Sequence, residues 1–247
     1  MKGIMDSYFK RLYERTMDEA YSLAYKEIVD ALKNGGKCLD CGANTGRSFE
    51  IISKSLLFEQ KNYHGIDWSA AAVEQCKDKG LNVIYSDLNR KLDFEDGLFQ
   101  CVFGLSVLEH LLNGCSFMKE CYRILDKNGR LILLTPNIST LFSIALLAVG
   151  KMPSSGPHPD SNELLNNEEV FRVSSDSILA DTEIDTPQHR HLVVFSFRVL
   201  KKYLTMVGFR DVKGYGFGLY PFPNFLQPIL EKTDPYHCHQ MVFIAKK

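Results

Sequence analysis

The chain is 247 residues long, 45% hydrophobic and 24% charged. That length and balance suit one large domain, 1–247, and exclude both a disordered polymer and a mini-protein that needs disulfide staples. Its 29 basic residues against 30 acidic ones leave a formal charge of −1, which argues against a chain held to nucleic acid by phosphate neutralisation.

The opening residues, Met1 to Lys10, lack the apolar core of a secretion signal. The cysteines number seven and are scattered through strand-like and helix-like stretches, as in a reducing compartment. A soluble cytoplasmic protein is therefore expected.

From Asp6 to Leu32 apolar residues recur at helical spacing (Tyr8, Leu12, Met17, Ala20, Leu23, Ala24, Ile28, Ala31, Leu32). This predicts one or two amphipathic helices within residues 1–34, stopped by Asn34-Gly35-Gly36. Short apolar runs then alternate with helical stretches. Strands are expected over Lys37–Cys41, Tyr63–Asp67, Asn82–Tyr85, Gln100–Leu105 and Arg130–Thr135, the last entered by the turn Asp126-Lys127-Asn128-Gly129 and ended by Pro136. Helices are expected over Arg47–Leu57 and Ala70–Lys79 and near Cys115–Leu125. Such alternation implies an α/β fold, a doubly wound and mostly parallel sheet covered on both faces.

Residues 138–188 read as a lid or insertion after the fifth strand. It opens with an apolar helix over Ile138–Val149, too short for the roughly 20 residues that span a bilayer. With Lys151 as its only basic neighbour, that helix is expected to be buried; peripheral contact with a membrane, or a wall for a lipid-like substrate, is its second use. The stretch Met152–Gln188 is rich in Pro, Ser, Asn, Asp and Glu and reads as a loop or small lid. Beyond it, Ser196–Val207 is a helix capped by Gly208, and Phe209–Gly218 and Gln240–Lys246 are two closing strands. The connection between them is too short for another helical crossover, which makes an antiparallel last strand and a seven-stranded sheet.

The chemistry concentrates in Cys38-Leu39-Asp40-Cys41-Gly42-Ala43-Asn44-Thr45-Gly46. A buried strand ends in an acid, and a small-residue loop then opens a helix whose first N–H groups point at the carboxyl edge of the sheet. Asp40 repels a pyrophosphate and suits a ligand with an ammonium or other positive charge. The loop lacks G-x-G-x-x-G, which also argues against a nicotinamide-dependent reductase. Asp67 ends the second strand, placed to accept both hydrogen bonds of a ribose diol, with Trp68 to flank ribose or adenine. Asp87 follows the third strand, placed to accept from an adenine amino group, with Leu88 offering its N–H and an apolar surface. Three acids at three adjacent strand tips form one constellation.

On these residues the chain resembles the class I S-adenosylmethionine-dependent methyltransferases. Phe103-Gly104-Leu105-Ser106-Val107-Leu108-Glu109-His110-Leu111 resembles their fourth-strand motif, and Tyr122 to Leu131 their lead-in to strand five. The likeness covers about Lys37 to Asn137. It resumes more weakly from His189, where His189-Arg190-His191-Leu192, Phe195-Ser196 and Gly208-Phe209 are similar to small-molecule enzymes related to the quinone-biosynthesis O-methyltransferases. The resemblance implies S-adenosylmethionine as cofactor. It places the methionine moiety on Asp40 and the backbone around Gly42, Ala43, Asn44 and Gly46, with Ser106 near its carboxylate or amine. It places the ribose on Asp67 and the adenine on Asp87 and Leu88. Tyr8 or Tyr13 would close over the pocket. Asn44 stands where the family often has glycine; asparagine tolerates a left-handed backbone best among the other residues, so the loop is read as intact.

The implied function is methyl transfer to a small-molecule or lipid-like acceptor by in-line displacement, a reaction that calls for no metal. A cofactor-binding subunit without activity is the alternative from another class. His110 is the candidate base or orienting residue, and Glu109 is expected to pair at the pocket rim. His189 and His191 read as an exposed, Arg-flanked turn in preference to site residues. Gly214 to Pro223 is either an aromatic acceptor wall or ordinary packing. Cys38-x-x-Cys41 and His237-Cys238-His239 have metal-binding residue types but lack a second pair or a convergent geometry, so packing is expected at both.

Overall fold

A computed structural model describes residues 2–153, 155–157 and 190–247. The N-terminal segment is one helix, α1 (Lys2–Leu32). Leu12, Thr16, Ala20, Ala24 and Ile28 are buried along it, a repeat of four whose small members let the helix approach the sheet closely. At its end the Gly35 N–H donates to the Leu32 carbonyl, the stop expected from Asn34-Gly35-Gly36.

There follow β1 (Cys38–Cys41), α2 (Arg47–Ser55), β2 (Tyr63–Asp67), α3 (Ala70–Asp78), β3 (Asn82–Tyr85), β4 (Phe99–Leu105) and α4 (Gly114–Ile124). The rest comprises β5 (Leu125–Pro136), α5 (Leu141–Ala148), α6 (Phe197–Val207), β6 (Arg210–Phe217), α7 (Gln227–Thr233) and β7 (Gln240–Lys246). The seven strands lie in the order β3-β2-β1-β4-β5-β7-β6. β1 pairs parallel with β2 and β4, and β7 pairs antiparallel with both β5 and β6. This is the doubly wound, mostly parallel sheet with an antiparallel last strand that the sequence implies.

Alternate residues of the central strands feed two cores. Leu39, Val102, Leu131, Leu133 and Phe243 face α4 and α6, packing on Phe117, Cys121, Leu200 and Leu204. Cys38, Cys101, Phe103, Ile132 and Val242 face α1, α2 and α3, packing on Ala24, Ile28, Ile52 and Val73. Each fully buried side chain of this kind contributes about 1.5–3 kcal/mol, so the edge bearing the loops stands on a rigid base.

Several expectations are corrected. α2 ends at Ser55, two residues early, leaving Leu57 fully exposed. β5 begins at Leu125, which pairs with Phe99 across an irregularity that loops out residues 126–129. The β6–β7 connection holds the short helix α7, because Gln227 and Glu231 turn inward to accept the Leu219 and Gly218 N–H groups. The apolar stretch after β5 forms α5 but is not buried: Ser143 is its buried residue, while Ile144 and Leu147 are about half exposed. The sequence shows hydrophobicity there but not how much of it becomes covered; Phe142 packs on Phe9 of α1. Most of the expected lid stretch after Met152, His189 included, lies outside the described residues.

Candidate active site

The loop after β1 is drawn back onto β2. The N–H groups of Gly42 and Ala43 both donate to the Ile66 carbonyl, at 2.8 and 3.0 Å. Asn44 takes the left-handed backbone expected of it, with φ 45°, and its N–H donates to Oδ2 of Asp67 at 2.8 Å. Oδ1 of Asp67 accepts from the Ser69 N–H, also at 2.8 Å. One carboxylate therefore fixes the loop, the start of α3 and its own orientation. Gly42 has φ 82°, and a side chain there would strike Val107, so glycine is required on two counts.

The chain leaves β4 through Ser106, also left-handed at φ 57°, whose N–H donates to the Leu134 carbonyl. A helical turn over Leu108–His110 follows. Between this turn and the loops after β1, β2 and β3 lies a cavity of ≈ 570 Å³. Gly42, Asn44, Asp67, Trp68, Asp87, Leu88, Ser106 and His110 all line it, so these predicted positions converge. Asp87 holds its loop by accepting from the Asn89 N–H. Trp68 is 43% exposed and lies along the same lining.

Other positions are placed differently. Ala43 and Gly46 shape the loop beneath the lining. Asp40 is 2% exposed and lies below the cavity: Tyr63 donates to its Oδ2 at 2.6 Å. Burial pushes its carboxyl up to about 6, against the hydrogen bonds from Tyr63 and Ser48 that pull it down. Tyr8 donates to the Pro221 carbonyl, and Tyr13 packs edge-on against His239; neither lines the cavity. The residue of α1 that does so is Tyr21, whose hydroxyl lies 3.2 Å from Oγ of Ser106. The Tyr21 ring stacks on that of Tyr25, one turn further along α1.

The far wall is His110, Leu111, Leu112 and Leu192. Leu192 comes from the segment after the insertion, which returns to the site: the Leu192 and Val193 N–H groups donate to the Glu109 carbonyl. Nδ1 of His110 lies 2.9 Å from the Arg190 carbonyl, a bond that needs Nδ1 protonated and leaves Nε2 as acceptor. Burial holds the His110 imidazole below its ordinary range. His191 is half-buried, its ring edge-on to His110 with centroids 5.5 Å apart; this corrects the exposed turn expected there. Glu109 is not at the rim. Its side chain is buried, accepts from Thr135 at 2.9 Å and is pushed up to about 7 by burial.

Gly214 to Pro223 turns out to be packing: Tyr220 stacks on His239 and clusters with Phe9 and Leu12. Cys38 and Cys41 are buried free thiols. His237 pairs with Asp234 at 2.7 Å, and burial pushes His239 down to about 4.

The donor set tests which ligand fits. Among the described residues the lining carries two carboxylates, Asp67 and Asp87, and no lysine or arginine. That suits a positively charged adenosyl compound with a diol and an amino-purine, and opposes a pyrophosphate. The seven-stranded architecture is the fold of the class I S-adenosylmethionine-dependent methyltransferases. The chain belongs to the family described as the methyltransferase domain, which matches residues 13–213.

The chain is similar to the ubiquinone biosynthesis O-methyltransferase of Methylococcus capsulatus, 28% identical over 153 residues covering 58% of this chain and 62% of that one. It spans 40%, 62% and 60% of the lengths of curated relatives it matches. In fold it is similar to a SAM-dependent methyltransferase from Archaeoglobus fulgidus, with TM-score 0.56, 18% identity and coverage of 93% and 94% of the two chains. It is likewise similar to a possible histamine N-methyltransferase from Thermotoga maritima, with TM-score 0.55, 18% identity and coverage of 98% and 99%. Among the described residues no helix is long and apolar enough to cross a membrane.

Proposed function

We propose that the protein transfers a methyl group to a hydroxyl of a small-molecule or lipid-like acceptor by in-line displacement. The observation that carries this reading is the two-sided cavity: carboxylates and loop backbone on one side, His110 with Leu111, Leu112 and Leu192 on the other. S-adenosylmethionine supplies an electrophilic methyl on a positively charged sulfur. Asp67 is placed to hold the ribose diol, Asp87 and Leu88 the adenine, Trp68 a flank, and Gly42, Asn44 and Ser106 the methionine end. The leucines give the acceptor an apolar bed and exclude water. Alignment at about 3–3.5 Å is then the main contribution.

His110 is the base or orienting group. Its neutral imidazole, with Nδ1 tied to the Arg190 carbonyl, offers Nε2 to an acceptor O–H. An ammonium acceptor would want an accessible carboxylate at this wall, and Glu109 is buried behind it. The O-methyltransferase relative supports the same choice. The test is transfer of labelled methyl from S-adenosylmethionine to a panel of phenols, apolar alcohols and amines. Labelled O-methyl product, reduced in His110→Ala with cofactor binding intact, supports the reading. Tight cofactor binding with no transfer to any acceptor, lysate included, overturns it in favour of a silent subunit.

A further inference from the structure

Behind His110 sits a group of titratable side chains that cofactor binding does not use. A carboxylate oxygen of Glu109 and a ring nitrogen from each of His110 and His191 lie within 4.8 Å of one another. They are graded in burial: Glu109 is 2% exposed, while His110 and His191 are partly exposed. The first two are adjacent in the turn after β4, whereas His191 arrives from the other side of the insertion, 191 − 110 = 81 residues later.

Both rings are oriented by backbone. Nδ1 of His110 faces the Arg190 carbonyl at 2.9 Å and Nδ1 of His191 the Ser155 carbonyl at 3.3 Å. With Nδ1 protonated in each, the Nε2 atoms are left as the proton-accepting positions. Glu109 is pinned by Thr135 from β5. From α1 the Tyr21 phenol, hydrogen-bonded to Ser106, lies within electrostatic reach of the same carboxylate. Asp67 and Asp87 stand across the cavity.

We propose, resting on the reading of His110 above, that Glu109, His110 and His191 work as one proton-accepting cluster, with His110 taking the acceptor's proton and His191 passing it to solvent. The acceptor's O–H bond is exchanged for an O–CH3 bond, the electron pair of the broken C–S bond stays on sulfur, and the proton ends on Nε2 of His110. The Glu109 carboxylate stabilises the resulting imidazolium, and the proton passes on toward His191, whose ring lies edge-on to His110 with centroids 5.5 Å apart. His110 is the catalytic residue of the set; Glu109 and His191 are positioning residues. Burial raises Glu109 and lowers His110, so each group is biased toward its neutral form.

The test needs no acceptor. Protein labelled with ring-¹⁵N histidine is titrated from about pH 5 to 9 by NMR, as wild type, Glu109→Gln and His191→Gln. Glutamine at 109 keeps the bond from Thr135 while removing the charge. Groups so close titrate as a unit, coupled by about one pH unit or more. His110 should therefore titrate lower by about that much in Glu109→Gln, and its curve should change again in His191→Gln. In parallel, calorimetry should show wild-type affinity for S-adenosylmethionine in both variants. His110 curves that superimpose in all three proteins overturn the proposal, as does loss of cofactor affinity in either variant. Rings that do not titrate until a chelator is added also overturn it, since a bridging cation would hold both imidazoles deprotonated. Failure of wild type to bind S-adenosylmethionine sinks the cofactor reading instead and leaves the titration result standing.

Discussion

Replacing Asp67 by alanine tests the cofactor site at the residue with the most duties. Its two oxygens already accept the Asn44 and Ser69 N–H groups at 2.8 Å each. Each oxygen keeps a second lone pair, enough for the two hydroxyls of a ribose diol. Losing a charged hydrogen bond to the ligand costs about 1.5–3 kcal/mol, or roughly tenfold to a hundredfold in Kd. The same substitution strands two backbone donors, which costs the fold about 1–3 kcal/mol. Calorimetry with S-adenosylmethionine and S-adenosylhomocysteine reads the first effect, and urea unfolding without ligand reads the second. Asp67→Asn separates them, because its amide oxygen still serves one donor while its NH2 opposes the other. Affinity should fall in the order wild type, Asp67→Asn, Asp67→Ala. Equal affinity of wild type and Asp67→Ala would refute the ribose assignment, whatever happens to stability.

Asn44→Val should lose about 1–2 kcal/mol of stability, since a β-branched residue pays fully for the left-handed backbone at φ 45°; Asn44→Gly should be neutral or better, and equal melting of the two variants would contradict the loop geometry. Tyr21→Phe should cost about 1 kcal/mol in cofactor affinity or stability through the lost bond with Ser106, and no change in either quantity would remove Tyr21 from the site. The Asp40 carboxyl, pushed up to about 6 by burial, binds its proton more tightly folded than unfolded, where carboxyls titrate near about 3.9. Its favourable contribution is therefore complete below about pH 4 and is lost as pH rises through about 6, a change on the order of 3 kcal/mol. Asp40→Asn should abolish that dependence and gain on wild type between about pH 4 and 7 in urea unfolding; parallel pH profiles would show that Asp40 is solvated.

Local pattern carried most of this structure into the sequence. Strands buried on both faces leave continuous apolar runs, and Gly42 with Asn44 marks a loop of forced conformation, so the parallel sheet and its ligand edge are legible from residues 38–105. What the sequence does not show is set by contacts made at long range. Tyr21 lines the cavity only because the alanine stripe of α1 settles across the sheet, and nothing in the helix periodicity separates it from Tyr8 or Tyr13. Leu192 and His191 reach the site because the Glu109 carbonyl takes the N–H groups of a returning segment, a pairing without a side-chain signature. α5 reads as core by hydrophobicity, yet burial depends on a partner, and among the described residues Ile144 and Leu147 remain half exposed.

The three strand-tip acids look equivalent in sequence, and burial divides their labour. Asp67 and Asp87 line the cavity and can meet a ligand directly. Asp40, one strand further into the sheet, is closed off by Tyr63 and reached by Ser48. Ser48 lies 3.3 Å from the Tyr25 hydroxyl, and the Tyr25 ring stacks on Tyr21, which lines the cavity and bonds Ser106. The acid nearest the loop in sequence thus acts through four side chains and α1. It connects to the cavity through this chain of contacts and is not among the residues that line it. Buried, and bonded by Tyr63 from β2 and by Ser48 from α2, its carboxyl ties the first strand to the elements packed around it.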